Sequence, residues 1–89
     1  MKKFEGIFIL KEKIKAKEVE NITKTLLKEI KLYNVEYNGV KDLAYSIKRH
    51  KRGNFITIYF EGTNEQKSKI ELTAKNLDDI LKFIVVRYE

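Results

Sequence analysis

The chain has 89 residues, with 19 lysine and arginine side chains against 13 aspartate and glutamate side chains, and a formal net charge of +6 at pH 7. This length predicts a single domain over residues 1–89 with one hydrophobic core. The absence of cysteine and the presence of one histidine exclude a disulfide framework and a thiolate nucleophile, and argue against a zinc site. No apolar run approaches the ~20 residues of a membrane span, and the positive charge favours an anionic partner.

The first strand and the first helix are predicted from a change in hydrophobic period. Residues 3–10 alternate with a period of two, which predicts a strand. Residues 16–32 have an apolar side chain at every third or fourth position, which predicts a helix, and Asn34 is predicted to end it in a left-handed conformation. The apolar stripe of this helix consists of Val19, Ile22, Leu26 and Ile30.

A hairpin with a cationic tip is predicted next. Residues 33–49 and 54–61 form its two strands, and residues 48–52 are five consecutive basic or imidazole side chains. Gly53 and Asn54 are predicted to close the bend. Like charges repel each other and add nothing to a core, so the cluster at the tip predicts an anionic partner such as nucleic acid.

The dipeptide Asn38-Gly39 leaves two alternatives for the first of these strands. It is a strong signal for a tight hairpin, but that hairpin would leave only residues 35–37 as a strand. A bulge or kink within one long strand fits the same residues, and we favour the kink.

A second helix and a last strand complete the chain. Thr63 and Gln66 follow Gly62 with the spacing of a capping box, which predicts a helix start. Branched and aromatic residues dominate positions 80–88 and predict a strand. The inward stripe of this helix consists of Ile70, Ala74 and Leu77.

The resulting order, β-α-β-β-α-β, predicts the fold. Two split βαβ units give an α+β, ferredoxin-like sandwich, in which a four-stranded antiparallel sheet carries both helices on one face. Right-handed crossovers put the first and third strands in the centre. The face without helices is also predicted to be apolar, and such a surface usually contacts a partner. Its members are Ile7, Ile9, Phe55, Tyr59, Ile84 and Val86.

Three stretches of the sequence resemble bacterial-type small-subunit ribosomal protein six. They are the opening KKFE, the strand DLAYSI with its basic hairpin and aromatic return strand, and the ending DDILKFIVVRYE. The most specific matches are the triplet at 43–45 with Ile47 and the segment at 79–87, whereas the first helix matches only in pattern. The resemblance implies the same fold, no enzymatic activity and no cofactor. It also implies binding to small-subunit ribosomal RNA together with small-subunit ribosomal protein eighteen, on a cytoplasmic or organellar ribosome.

Two departures from that family shape the expected partner contact. Ser46 stands where the family commonly has proline. Family members often continue past the last strand into a tail that contacts the partner protein, whereas this sequence stops at Glu89. We therefore expect the open sheet face to carry most of the protein contact. The expected residues are Ile7, Ile9, Tyr45, Phe55, Tyr59, Ile84 and Val86.

The RNA contacts are expected in three patches. The resemblance places them on the N-terminal residues, on Arg49 of the hairpin, and on Lys82 with Arg87 of the last strand; the charge cluster adds three more hairpin cations. Lysine supplies a mobile charge for phosphate and arginine a planar fork. The full expected set is Lys2, Lys3, Phe4, Lys48, Arg49, Lys51, Arg52, Lys82 and Arg87. Phe4 has two readings, as a base-stacking residue or as a core residue, and Tyr45 or Tyr59 could also stack on an unpaired base.

Catalytic interpretations are weaker. His50 has no carboxylate nearby in sequence to orient it, and Asp78-Asp79 is typical of a turn. An acylphosphatase-like enzyme on this fold would need arginine in the loop after the first strand, but residues 11–17 read KEKIKAK. Two alternatives to RNA binding stay open: a small-molecule regulatory module and a protein-only interaction domain.

Overall fold

A computed structural model of the protein describes residues 1–88, and their elements follow the predicted order. The elements are β1 (Lys2–Lys11), α1 (Ala16–Leu26), β2 (Leu32–Ile47), β3 (His50–Gly62), α2 (Asn64–Asn76) and β4 (Ile80–Arg87). Within this described part, no helix is long and apolar enough to cross a membrane.

The four strands form one antiparallel sheet in the order β2-β3-β1-β4. The first and third strands are therefore central, as predicted, and β2 and β4 are the edges. Alternate residues of the central strands pack with the apolar sides of both helices into one core. The best buried of these side chains are Phe4, Phe8, Leu10, Ile56, Ile58 and Phe60.

The first helix is shorter than predicted. It ends at Leu26, after which the Leu27 N–H donates to the Thr23 carbonyl and the Ile30 N–H donates to the Leu27 carbonyl, both at 3.0 Å. Leu27 and Ile30 remain buried, so the apolar period continues through a tight turn. Asn34 does not end the helix; it lies in β2 opposite Tyr59. Pairing of β2 with β3 overrides the helical period here.

The second strand is one long element with a bulge, which confirms the kink at Asn38-Gly39. Tyr37 pairs with Ile56 and Gly39 pairs with Phe55, so Asn38 is the extra residue. Gly39 has φ of 83°, a conformation that glycine adopts without a Cβ penalty.

The capping box of α2 is present as predicted. Thr63 Oγ1 accepts from the Gln66 N–H at 3.1 Å, and Gln66 Oε1 accepts from the Thr63 N–H at 2.9 Å. Gln66 Nε2 also donates to the Glu29 carbonyl at 3.3 Å. This contact ties the start of α2 to the segment that follows α1.

Candidate functional site

The hairpin turns at its cations rather than after them. Ile47 pairs with His50, and the two residues between them, Lys48 and Arg49, have φ of 48° and 71°. Positive φ at both central residues is the geometry of a type I′ turn. The prediction that Gly53 and Asn54 close the bend is therefore wrong, since both lie within β3. The turn places the exposed side chains of Lys48 and Arg49 at the end of the hairpin.

The outer part of the hairpin is irregular. Asp42 pairs with Arg52 and Ile47 pairs with His50, so residues 43–46 of β2 lie opposite Lys51 alone. Leu43 comes close to the backbone of Gly53 on the open face of the sheet. A Cβ at position 53 would lie 2.4 Å from Ile9 Cγ2 and 3.6 Å from Leu43 Cδ2. Because glycine has no side chain, Ile9 and Leu43 can both approach this point, and the hairpin borders the open face.

An open apolar groove of about 580 Å³ lies between the hairpin and the open face. It brings together five of the seven residues expected to contact the partner protein, and Tyr45 among them is 84% exposed. Tyr59 and Val86 lie outside it, nearer the other end of the sheet. The groove is lined by Ile7, Ile9, Asp42, Leu43, Ala44, Tyr45, Ser46, Ile47, Phe55, Lys82, Phe83 and Ile84.

Arg52 differs from the other cations at the hairpin tip because its guanidinium forms ion pairs with two carboxylates. Its Nε lies 3.2 Å from Asp42 Oδ1, and its Nη1 lies 3.7 Å from Glu12 Oε2. These pairs join both strands of the hairpin to the segment after β1. The phosphate contact of Arg52 stays a prediction, although two carboxylates already offset part of its charge.

The other cations that are expected to bind RNA divide into two groups, at opposite ends of a molecule 36 Å long. Lys82 pairs with Ile9 and lines the groove, whereas Arg87 pairs with Phe4 near the start of β1. Five positions along a strand also put the two side chains on opposite faces. The expected Lys82–Arg87 patch is therefore split. Lys82 belongs with the hairpin end, and Arg87 belongs with Lys2 and Lys3, both half-buried at the N-terminal end.

Phe4 is a core residue. Its side chain is 1% exposed, and its ring stacks on that of Phe60 at a centroid distance of 5.2 Å. The expectation that Phe4 contacts RNA by stacking on a base is wrong, because burial on the helix-covered face removes the ring from the surface.

Tyr59 lies on the open face between two carboxylates that the sequence did not single out. Partial desolvation raises its pKa above the ordinary value of 10.0, and the neighbouring Glu36 and Glu5 carboxylates raise it further by charge and by hydrogen bonding. The Tyr88 ring meets that of Tyr59 edge-on at 6.1 Å. The two-residue period of β1 predicts that Glu5 lies on the open face. The position of Glu36 cannot be predicted in this way, because it depends on how the bulge at Asn38 shifts the pairing of β2 with β3.

Across residues 1–88, no group of three or more histidine, cysteine or acidic side chains could hold a metal ion. What the described surface offers is an apolar groove, a cationic hairpin end and an open sheet face. Those features define a binding protein of the α+β, ferredoxin-like class.

The comparisons with known proteins identify the family. A family model described as "Ribosomal protein S6" matches residues 3–87. The small ribosomal subunit protein bS6 of Campylobacter jejuni strain 81-176 is 32% identical, over 100% of this chain and 75% of its own length. That of Helicobacter pylori strain Shi470 is 34% identical, over 100% of this chain and 66% of its own length. The chain belongs to the ribosomal protein S6 family, whose members are structural, non-enzymatic components of the small ribosomal subunit.

Solved structures agree on the fold. The crystal structure of 30S ribosomal protein S6 from Thermotoga maritima superimposes with a TM-score of 0.84 at 24% identity, covering 98% of this chain and 87% of that one. Bacillus subtilis GlnK superimposes with a TM-score of 0.53 at 12% identity, covering 100% and 87%. Both likenesses show a shared fold alone.

Proposed function

We propose that this protein is a structural component of the small ribosomal subunit in the cytoplasm. It binds small-subunit ribosomal RNA through its hairpin end and docks small-subunit ribosomal protein eighteen on its open sheet face. One observation carries the proposal: the hairpin that presents the exposed cations also forms one wall of the apolar groove. A surface for phosphate and a surface for protein are therefore adjacent.

The RNA contact rests on the exposed cations of the hairpin end. Lys48, Arg49 and Lys51 are exposed, and Lys82 at the groove is exposed too. Lysine and arginine side chains of this kind bind phosphate oxygens and release counterions. Arg52 acts in this proposal as a positioning residue, because its pairs with Asp42 and Glu12 fix the hairpin relative to β1. Lys2, Lys3 and Arg87 provide a second, distant contact.

The protein contact rests on exposed apolar side chains that no helix covers. Ile84 is 57% exposed, Val86 44% and Ile7 37%. Together with the groove they form a continuous apolar surface across β1 and β4. Covering it removes apolar area from water, at about 25 cal/mol per Å². Ribosomal protein eighteen is the partner that the family resemblance implies.

A pull-down from cell extract tests the proposal. Tagged protein is compared with the triple variant K48E/R49E/K51E and with a matched control, K17E/K24E/K28E, which reverses three exposed charges on and after α1. We expect wild type and control to retain small subunits at low salt, and the hairpin variant to lose them. Retention by the hairpin variant equal to wild type would contradict the RNA contact. Recovery of a protein partner without ribosomal RNA would favour the alternative of a protein-only interaction domain.

A further inference from the structure

The open face has an anionic end, although the protein as a whole carries a formal charge of +6. Glu5 pairs directly with Tyr59 in β1–β3, and Glu36 pairs with Thr57, which puts it diagonal to Tyr59 on the same face. Within residues 1–88, neither Glu5 nor Glu36 forms an ion pair. Two carboxylates that form no ion pair within residues 1–88 therefore flank Tyr59.

This anionic end is continuous with the apolar surface. Glu5 pairs on its other side with Val86, which is 44% exposed, and Ile7 follows Glu5 on the same face of β1. The Tyr59 ring is half-buried against Tyr88. Its raised pKa agrees with a hydroxyl that lies close to the Glu36 and Glu5 carboxylates. Lys3 and Glu61, which pair with each other, lie beside Tyr59 at the same end of the face, so carboxylates outnumber cations there. A partner that covers the apolar surface must also cover these groups.

We propose that the end formed by Glu5, Tyr59 and Glu36 binds an arginine or lysine side chain of the protein segment that covers the open face, while an apolar side chain of that segment fills the groove. This inference rests on the proposed docking of a protein on the open face. It adds which end of the face the partner's cationic side chain contacts. Burying two carboxylates without an ion-pair partner is strongly unfavourable, because each charge loses its hydration. A guanidinium or ammonium group offsets that cost and can also lie against the tyrosine ring.

The register of β3 sets the spacing that the partner must match. Phe55 at the groove and Tyr59 at the anionic end are four residues apart on one strand, which is about 13 Å. The partner's apolar and cationic side chains should therefore be about four residues apart in an extended segment, or about seven to eight residues apart in a helix, where both lie on the same side. The partner's cationic side chain would lie at the end of the sheet away from the hairpin tip. Lys48 and Arg49 would therefore remain available for RNA.

Calorimetric titration with purified small-subunit ribosomal protein eighteen tests the inference. The variant E5Q/E36Q removes both carboxylates, and the matched control E18Q/E20Q removes two exposed carboxylates from α1. We expect E5Q/E36Q to weaken binding about tenfold at low salt, which corresponds to the loss of a charged contact. The control should stay within about twofold, and the difference should shrink at high salt.

A third variant, I84D, separates this inference from the docking itself. If I84D abolishes binding and E5Q/E36Q binds like wild type, the partner docks on the open face and the proposed cation site is wrong. If neither variant changes binding, or wild type does not bind, the docking proposal fails and this inference fails with it. Thermal unfolding of each variant establishes that it is folded, and all five substituted positions lie on exposed or half-buried surface.

Discussion

Asn38 and Thr57 are joined across β2 and β3 by a hydrogen bond in which Thr57 Oγ1 donates to Asn38 Oδ1 at 2.9 Å. Asn38 is the extra residue of the bulge, and Thr57 is nearly buried in the central strand. The bond thus satisfies a buried hydroxyl with the bulged residue, which has no backbone partner in the ladder. The bulge reverses the side-chain alternation of β2, so that Glu36 before it and Lys41 after it lie on the same face.

Removing the amide of Asn38 should destabilise the protein. In N38A the Thr57 hydroxyl loses its partner, and a buried unsatisfied hydroxyl costs about 1–3 kcal/mol of unfolding free energy. In T57V the hydroxyl is absent, so adding N38A to T57V should cost much less than N38A alone. Urea denaturation of the single and double variants measures this coupling. Equal costs of N38A in both backgrounds would mean that the bond contributes nothing.

Gly53 is predicted to be indispensable for the shape of the hairpin. In G53A the new Cβ would meet Ile9 Cγ2 at 2.4 Å and the Leu10 carbonyl oxygen at 3.4 Å, and such overpacking costs about 1–3 kcal/mol. The double variant I9A/G53A removes the closer atom, so its unfolding free energy should exceed the sum expected from the single variants. Strict additivity would exclude this contact as the cause.

Much of the fold could be predicted from the sequence because local signals agreed with the global one. The two-residue period of β1, the three- and four-residue period of α1 and the Thr63–Gln66 capping box each indicate one element. Their order leaves few topologies. The end of α1 could not be predicted in the same way, since Leu27 and Ile30 keep the helical period while the chain has already turned.

The candidate site was predicted less completely because it depends on register. Lys82 and Arg87 are close in sequence but lie at different ends of β4, opposite Ile9 and Phe4. Arg52 forms ion pairs with Asp42 across the hairpin and with Glu12 in the segment after β1. Only folding brings Glu12 close to Arg52. Composition could identify a cationic hairpin but not which of its charges is already paired.

Phe4 is predicted to affect stability and not RNA affinity. F4A should lower the unfolding free energy by about 3–5 kcal/mol, because it empties a buried site against Phe60. F4L keeps most of the volume and should cost less than F4A, while its affinity for a small-subunit ribosomal RNA fragment stays at the wild-type value. Filter binding together with denaturation measures both quantities. An F4L protein that is stably folded but binds RNA weakly would restore the stacking role.

Deprotonation of Tyr59 is predicted to lower the unfolding free energy at high pH. Its pKa is raised in the folded protein by desolvation and by Glu36 and Glu5, so the folded state resists deprotonation more than the unfolded state. The associated stability is present below the unfolded pKa of about 10 and is lost as the pH rises through the folded value. The difference in unfolding free energy between wild type and Y59F should therefore shift against wild type above pH 10. A constant difference from pH 8 to 11 would contradict the shift.

The salt dependence of RNA binding tests the central claim most directly. The hairpin end presents about four exposed cations, so log affinity for a small-subunit ribosomal RNA fragment should fall against log salt with a slope of about −2.8 to −3.6. The variant K48E/R49E/K51E should bind much more weakly and with a much shallower slope, while K17E/K24E/K28E should keep the wild-type slope. A hairpin variant with the wild-type affinity and slope would contradict the assignment of the hairpin end as the RNA-binding surface.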